Sequence, residues 1–313
     1  MARTGQDLRA RICTGMYTLP FMAGLTAVVW MAPDVADWRR WAGLVTTGWI
    51  TYLLIELNNR NALLRVRSRM VSSSFLAMMA AFPALQAWTP AHLAPLCLAA
   101  SLIPLFRAYQ KPAAAPDVFR AFCLTGLGSL LYPPLVCLLP CYFLVLQIHL
   151  RALSGRTFAA GLLGAALPYW LLAVVALWRG DLAEWAEQWA AAFRFPLPDF
   201  RTVAPVQLGQ CAFLTLLTLL SAAHFVRTAY NDKIRTRMFF YILLVIDTVL
   251  LAGLCARPQD FSVTGGLLAV GASPLIGRYF TLARGRWMNA WFYIWTVLLA
   301  ALAVISRLYG WTP

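Results

Sequence analysis

Long runs of apolar residues, separated by short polar stretches, cover almost the whole chain. A helix needs about 20 apolar residues to cross the hydrocarbon core of a membrane, and most of the runs have about that length. We therefore predict an all-α fold, a polytopic helical membrane protein forming a single integral membrane domain over 1–313. The runs place spans near 12–32, 41–58, 70–88, 91–107, 157–178, 205–226, 238–256, 262–281 and 287–306.

The region 118–150 is apolar throughout but too long for one straight helix, and "LYPPLVCLLPCYF" carries Pro133, Pro134 and Pro140 inside it. Proline removes a backbone donor and clashes with the preceding turn. We predict two short helices here, either a tight hairpin or a re-entrant pair. With this proline-broken pair the chain has about 11 membrane segments.

Composition supports the membrane class, since 61% of the 313 residues are hydrophobic and 12% are charged. Soluble domains are about 45–50% apolar and about 25% charged. The net charge of +14 does not indicate nucleic acid as a partner, because the basic residues lie in short loops between apolar runs. The seven cysteines lie inside those runs without C-x-x-C spacing, and the histidines lack neighbouring ligands. We expect no metal and no cofactor.

The loop charges predict the orientation. Most of the 26 Lys and Arg residues fall on one side if the spans alternate, and cytoplasmic loops collect such residues. We expect a protein of the bacterial inner membrane, with the N-terminus in the cytoplasm and the C-terminus in the periplasm. The longest outside loop, 179–204, is rich in Trp and Ala, and predicts a short helix on the outer interface.

A short motif, N-x-x-[L/I]-R-x-R, occurs in "NALLRVRSRM" at 61–70 and in "NDKIRTRMFF" at 231–240. The same offset aligns Pro104-Leu105 with Pro274-Leu275. One interpretation is a 5+1+5 parallel internal repeat, with halves 1–134 and 151–313 joined by a linking span, 135–150. The alternative is two ordinary basic loops in a chain rich in Leu and Ala.

Parallel repeats occur in transporters, with binding sites between the halves. Both basic stretches would then face each other and bind an anion through a shared set of cations. The alternative role for these cations is retention by anionic lipid headgroups. The predicted substrate-binding residues are Arg65, Arg67, Arg69, Lys233, Arg235 and Arg237.

Three charged residues are predicted inside or at the ends of spans, where charges are costly and commonly functional. Asp247 lies near the middle of its span, and Arg278 lies near the cytoplasmic end of the next one, within reach of it. The two interpretations are a proton relay and a structural element, either an ion pair or a neutral buried acid. Glu56, with Asn58 and Asn59, ends the second span, where it lines a polar mouth or meets the headgroups.

The run "ELNNRNALLRVRSRMVSSSFLAMMAAFP", followed by "FRAFCLTGLGSLLYPPLVCLLPCYF", resembles an uncharacterised family of multi-span inner-membrane proteins of the Bacteroidetes. The resemblance covers most of the chain. It implies a location in the inner membrane. It implies no activity and identifies no functional residue.

Three functions follow from this sequence. The first is a transporter or flippase for an anionic or lipid-linked solute, and the second is a membrane-embedded glycosyltransferase that uses a polyprenyl-phosphate donor. The third is a non-catalytic subunit of an envelope assembly complex, with protein partners as well as membrane lipids. No catalytic motif is present. The candidates for the catalytic acid of a glycosyltransferase are Asp34, Asp37, Asp181 and Glu184.

Overall fold

The computed structural model describes residues 8–66, 68–86, 88–111, 113–181, 203–283 and 288–308, together with residues 183, 187 and 190. Over these residues the chain is all-helical and has no strand. The principal helices there are α1 Leu8–Thr14, α2 Thr18–Met31, α3 Trp38–Asn61, α4 Met70–Ala81, α5 Ala94–Arg107, α6 Ala115–Leu131, α7 Leu138–Ile148, α8 Gly155–Arg179, α9 Pro205–Thr228, α10 Ile234–Ala256, α11 Phe261–Leu282 and α12 Met288–Leu308.

The helices from α2 to α12 run alternately between two ends of the bundle. At one end, which we call the arginine-rich end, contacts join Arg9 to Ala283, Ser68 to Thr281, Phe106 to Phe239, Gln110 to Leu150 and Arg278 to Thr228. At the opposite end, contacts join Tyr132 to Thr264, Gln207 to Pro258, Gln210 to Ser306 and Arg307 to Val29. Each connection that the structure describes therefore lies at one end or the other.

Helix α11 is the centre of the bundle, and almost all of its side chains are buried. It packs against α4, α5, α9 and α10. Small residues allow this close approach: a Cβ at Gly277 would lie 2.9 Å from the backbone nitrogen of Val71 in α4. Small residues at helix interfaces let backbones approach closely inside membranes.

Helices α8 and α12 are outer helices with long apolar faces. Trp170 and Val174 in α8 and Val297 and Val304 in α12 are all exposed. Large exposed apolar surfaces of this kind are rare on soluble monomers. The architecture therefore fits a helical membrane protein.

The predicted count of about 11 membrane segments is not what the structure gives. Within the described residues six helices are long and apolar enough to cross a membrane, namely α8, α9, α10, α12, and α5 and α11 with the short turns that precede them. Three apolar segments are shorter: α2, α4 and Pro133–Ile148. Some apolar runs form helices too short to span, such as α4, which ends before Pro83, and the run in α3 lies in a helix that also contains polar residues.

The proline-broken region divides as predicted. Helix α6 ends at Leu131, a 3-10 turn follows over Pro133–Cys137, and α7 begins at Leu138. Pro140 does not interrupt α7, because it lies in the first turn, where its missing N–H would have no partner in any helix. The break therefore depends on Pro133 and Pro134.

The structure does not fit the predicted repeat. The offset aligns α4 with α10 and α5 with α11, yet α4 has 12 residues against 23 in α10, and α5 has 14 against 22 in α11. In these two pairs the helix of the second half is longer, whereas α3 and α9, which the same offset aligns, have 24 residues each. The halves are therefore not equivalent. Most of the predicted interfacial helix in 179–204 lies outside the described residues.

Candidate functional site

The two stretches that share the N-x-x-[L/I]-R-x-R motif meet at the arginine-rich end, through an ion pair. Arg65, in the loop between α3 and α4, donates from Nε to Asp232 Oδ1 over 2.9 Å. Asp232 belongs to the second stretch and follows the 3-10 turn Ala229–Asn231, where its N–H donates to the carbonyl of Ala229. An acid of one stretch therefore joins the two, instead of two sets of cations facing each other.

Arg278 is the second partner of Asp232. Its Nη2 lies 2.6 Å from Asp232 Oδ2 and its Nε lies 3.1 Å from the same atom. Nη1 also donates to Thr228 Oγ1 over 3.0 Å. Both side chains of this pair are almost fully buried. Two nitrogens of the Arg278 guanidinium thus donate to the carboxylate of Asp232. Hydrogen bonds between two charged groups are stronger than those between neutral groups, and two parallel donors also fix the geometry.

Aromatic rings cover the buried guanidinium of Arg278. Its Cζ lies 5.0 Å from the centre of the Phe225 ring and 5.5 Å from that of Phe240. Cation–π contacts of this kind become stronger when water is excluded. Helices α9, α10 and α11 each supply part of this environment, so the ion pair fixes their relative positions.

A cavity of about 280 Å³ lies beside this network, between α2, α3 and the loop that carries Arg65. Its polar lining includes Asn58, Asn59, Ser68, Arg69 and Ser72, and its apolar lining includes Leu19, Ile55, Leu64 and Val71. Asn59 and Arg69 are exposed at the surface, so the cavity is open. No acidic side chain belongs to the described lining.

One polar atom near the cavity lacks a partner. Asn58 Nδ2 donates to the carbonyl of Ser68, at the long distance of 3.5 Å, while its buried Oδ1 has no partner among the described residues. A carbonyl oxygen of this kind needs a donor such as a hydroxyl group or water. The cavity thus combines one cation, Arg69, with an amide that can accept or donate.

The loop that lines the cavity is also tied to α1 and α11. Ser68 Oγ contacts the carbonyl of Cys13 and, over 3.4 Å, the hydroxyl of Thr281. Arg9 donates to the carbonyls of Phe280 and Ala283 at the end of α11. These bonds satisfy carbonyls that the last turn of a helix leaves without partners. They hold the cavity wall against the centre of the bundle.

The six predicted anion-binding cations do not form one cluster. Arg69 lines the cavity and Arg65 binds Asp232, whereas Arg67 lies outside the described residues. Lys233 and Arg235 are exposed, Arg237 is half-buried, and none of these three lines the cavity. Arg235 lies over the ring of Phe239, with 5.3 Å between Cζ and the ring centre.

The predicted intramembrane residues also separate. Asp247 is buried in α10, but both of its carboxyl oxygens lack a partner among the described residues. Arg278 contacts Asp232, so the ion-pair interpretation of Asp247 and Arg278 is wrong. Glu56 forms an ion pair with Arg60 one turn later in α3, while its neighbours Asn58 and Asn59 face the cavity.

Asp232 links the two stretches and Arg278, and the sequence patterns do not reveal this role. Its context, "YNDKIRT", is typical of a polar loop. Its two partners lie 167 and 46 residues away in the chain, so no local spacing reveals the contact. The only signal available is its position within the repeated motif, in which the stretch at 61–70 has no acid.

Within the described part of the chain, no three His, Cys, Asp or Glu side chains are grouped closely enough to hold a metal ion. Comparisons of the chain with protein-family models, with curated proteins and with solved structures found no match. The resemblance to a family of the Bacteroidetes therefore stays a prediction. The candidate site is defined by its own geometry alone.

Proposed function

We propose that this protein binds an anionic or lipid-linked solute in the cavity at the arginine-rich end, and that it acts as a transporter or flippase. The observation that carries the proposal is the open cavity of about 280 Å³ lined by Arg69, Asn58 and Asn59. We place this end in the cytoplasmic leaflet of a bacterial inner membrane, because basic residues collect on that side.

The lining suits an amphiphile. Leu19, Ile55 and Val71 offer apolar contacts, and Asn58, Asn59 and Ser72 offer hydrogen bonds. A few well-placed polar groups in an apolar pocket are typical of ligand sites. A lipid-type ligand would place its chain along the apolar wall and its headgroup against the amides.

Arg69 is the cation that would bind the charge of the ligand. Asp232 already neutralises much of the charge of Arg65 and Arg278, and Glu56 contacts Arg60. No described acid lines the cavity beside Arg69. A phosphate or phosphodiester is a suitable partner for its planar guanidinium.

Asp247 extends the proposal to energy coupling. A carboxyl group buried inside a span without a partner is costly, and such groups commonly mark proton pathways. Under the transport proposal, protonation of Asp247 accompanies movement of the solute. Asp247→Asn, which cannot exchange a proton, should then abolish transport and leave binding at the cavity intact.

Native mass spectrometry of the gently purified protein tests the binding step, with phosphatidylglycerol and a polyprenyl phosphate as added probes. We expect Arg69→Gln to reduce the bound fraction of one of these probes severalfold. Lys233→Gln is the matched control, because it removes an exposed cation from outside the cavity. Equal loss in both variants, or no loss in Arg69→Gln, would contradict the proposal.

Transport is tested separately in proteoliposomes, by following a fluorescent derivative of the probe that binds. Wild type should move it between leaflets faster than protein-free vesicles, and Asp247→Asn should not. Binding without movement would leave a lipid-binding subunit, and co-purified envelope proteins would then favour the assembly function.

The glycosyltransferase function has weaker support. The carboxylate of Asp34 accepts the N–H of Ala36, and that of Asp37 accepts the N–H of Arg39 at the start of α3. These are local capping roles that need no catalysis. Asp181 ends the described part of its loop, and Glu184 lies outside the described residues.

A further inference from the structure

A second, much smaller cavity lies at the opposite end of the bundle, where α2, α3 and α4 meet the start of α5. Its volume is about 20 Å³, and its walls include Trp30, Gly43, Phe75, Met79 and Trp88. A water-sized occupant needs about 10–15 Å³ by this measure. The cavity therefore has room for a water molecule or a single small ion, and not for a lipid headgroup.

Two indole N–H groups at this cavity have no partner. Trp30 is 1% exposed, and its Nε1 lacks an acceptor among the described residues, as does the buried Nε1 of Trp88. Indole nitrogen can only donate a hydrogen bond. A buried donor without a partner costs free energy. We therefore expect an acceptor in the cavity that both N–H groups can reach.

Gly43 shows that the two indoles converge. The two atoms Trp30 Cε2 and Trp88 Cδ1 are each bonded to Nε1 in their rings. Each lies 3.5 Å from the point that a Cβ at residue 43 would occupy. The atom nearest to that point is Trp30 Cζ2, in the six-membered ring, at 2.9 Å. One edge of each indole, next to its Nε1, therefore borders the space beside Gly43. Trp88 is held in place by an edge contact with Trp38, with 5.4 Å between the ring centres.

Two arginines also lie at this end of the bundle. Arg40 donates to the carbonyl of Trp30 over 3.2 Å, and Arg307 donates to the carbonyls of Val29 and Ala80. These guanidinium groups approach the same ends of α2 and α4 that border the cavity. No acid belongs to the described lining, which is otherwise apolar apart from Thr46, Thr47, Gln86, His92 and Ser262.

We propose that this cavity binds a small, weakly hydrated monovalent anion, for which chloride is the natural probe. The N–H groups of Trp30 and Trp88 donate to it, and the nearby arginines supply the positive field. Apolar walls accept such an ion more readily than a strongly hydrated one, because less hydration is lost. The proposal concerns the end of the bundle opposite the lipid site and does not depend on that site.

Unfolding temperature in chloride, compared with gluconate at the same ionic strength, tests the proposal. We expect wild type to be stabilised by chloride in a concentration-dependent manner, as a ligand that binds only the folded state requires. Trp88→Phe keeps an aromatic ring and removes the N–H, so the chloride effect should be reduced or lost. Trp178→Phe is the control, since Trp178 is 87% exposed.

Crystals grown in bromide give a direct second measurement. An anomalous peak between the two indoles, absent in Trp88→Phe, would confirm the site even if that variant is less stable. Two outcomes overturn the proposal. One is equal unfolding temperatures in chloride and gluconate together with no bromide peak, which means that water fills the cavity. The other is an unchanged chloride effect in Trp88→Phe.

Discussion

Two buried aspartates, one just before a helix and one in the middle of it, have opposite environments. Asp232 precedes α10 and has two arginine partners, Arg65 and Arg278. Asp247 lies in the middle of α10 and has no partner among the described residues. The carboxylate of Asp232 therefore holds two arginines in place, whereas the carboxyl group of Asp247 holds no described side chain.

The comparison shows that burial alone does not identify the role of an acid. Asp232 binds Arg278, and the Arg278 guanidinium in turn contacts the Thr228 hydroxyl and the rings of Phe225 and Phe240. Around Asp247, the neighbouring helix supplies Gly271, where a Cβ would lie 1.9 Å from Asp247 Oδ1. The first environment stabilises a charge, and the second provides space for a side chain.

Asp232→Ala should produce the largest loss of stability. It leaves the guanidinium of Arg278 buried without its counter-charge, which typically costs about 3–5 kcal/mol. We expect a large fall in the unfolding temperature, measured in mild detergent by intrinsic tryptophan fluorescence. Asp117→Ala is the control, because the partner of Asp117, Lys111, is half exposed. Similar losses in both variants would contradict the assignment of Asp232 as the organising group.

Gly271→Ala should cause the next largest loss. The new methyl group would overlap Asp247, and overpacking of this kind costs about 1–3 kcal/mol. The double variant Gly271→Ala with Asp247→Ala removes the overlap and should recover most of the loss. Additive effects of the two substitutions would show that the two residues do not compete for space.

Asp247→Ala should have an effect of the opposite sign to that of Asp232→Ala. Removing a buried carboxyl group without partners avoids a penalty of about 1–3 kcal/mol, although the void left behind offsets part of this gain. We expect stability equal to that of wild type or higher, by the same fluorescence measurement. A clear loss of stability would mean that Asp247 has a structural partner.

Arg65→Gln should give the smallest effect. The Arg65 side chain is 46% exposed, and exposed ion pairs contribute only about 0.2–1 kcal/mol. The remaining partner, Arg278, keeps Asp232 neutralised. The difference from wild type should shrink further in high salt, which screens exposed charges. An effect as large as that of Asp232→Ala would assign the main stabilising contact to Arg65.

The sequence identifies the class of fold and many helix positions well, because apolar runs and prolines are local signals. The break at Pro133 and Pro134 is an example, since both residues act on their own turn. The number of helices that can cross a membrane is harder to predict. Polar residues such as Arg39, Arg40 and Asn58 belong to α3 together with its apolar run, and a run does not show where its helix ends.

The candidate site depends on contacts between distant parts of the chain. Arg69 and Asn58 are recognisable in the sequence as polar residues at a span end, but the cavity between them forms only when α2 packs beside α3. Asp232 gives no local signal for the same reason. The predicted contact of Arg278 with Asp247 is wrong, and Arg278 binds Asp232 instead. The prediction compared only the positions of residues along two helices, whereas Asp232 lies in the connection before α10.

The central position of α11 has a consequence for biosynthesis. Helix α11 begins at Phe261, so a ribosome must produce ten of the described helices before the one that they surround. Because chains are made from the N-terminus, the faces of α4, α5, α9 and α10 that pack on α11 are made before their partner. A chain arrested before Phe261 would therefore leave these faces uncovered.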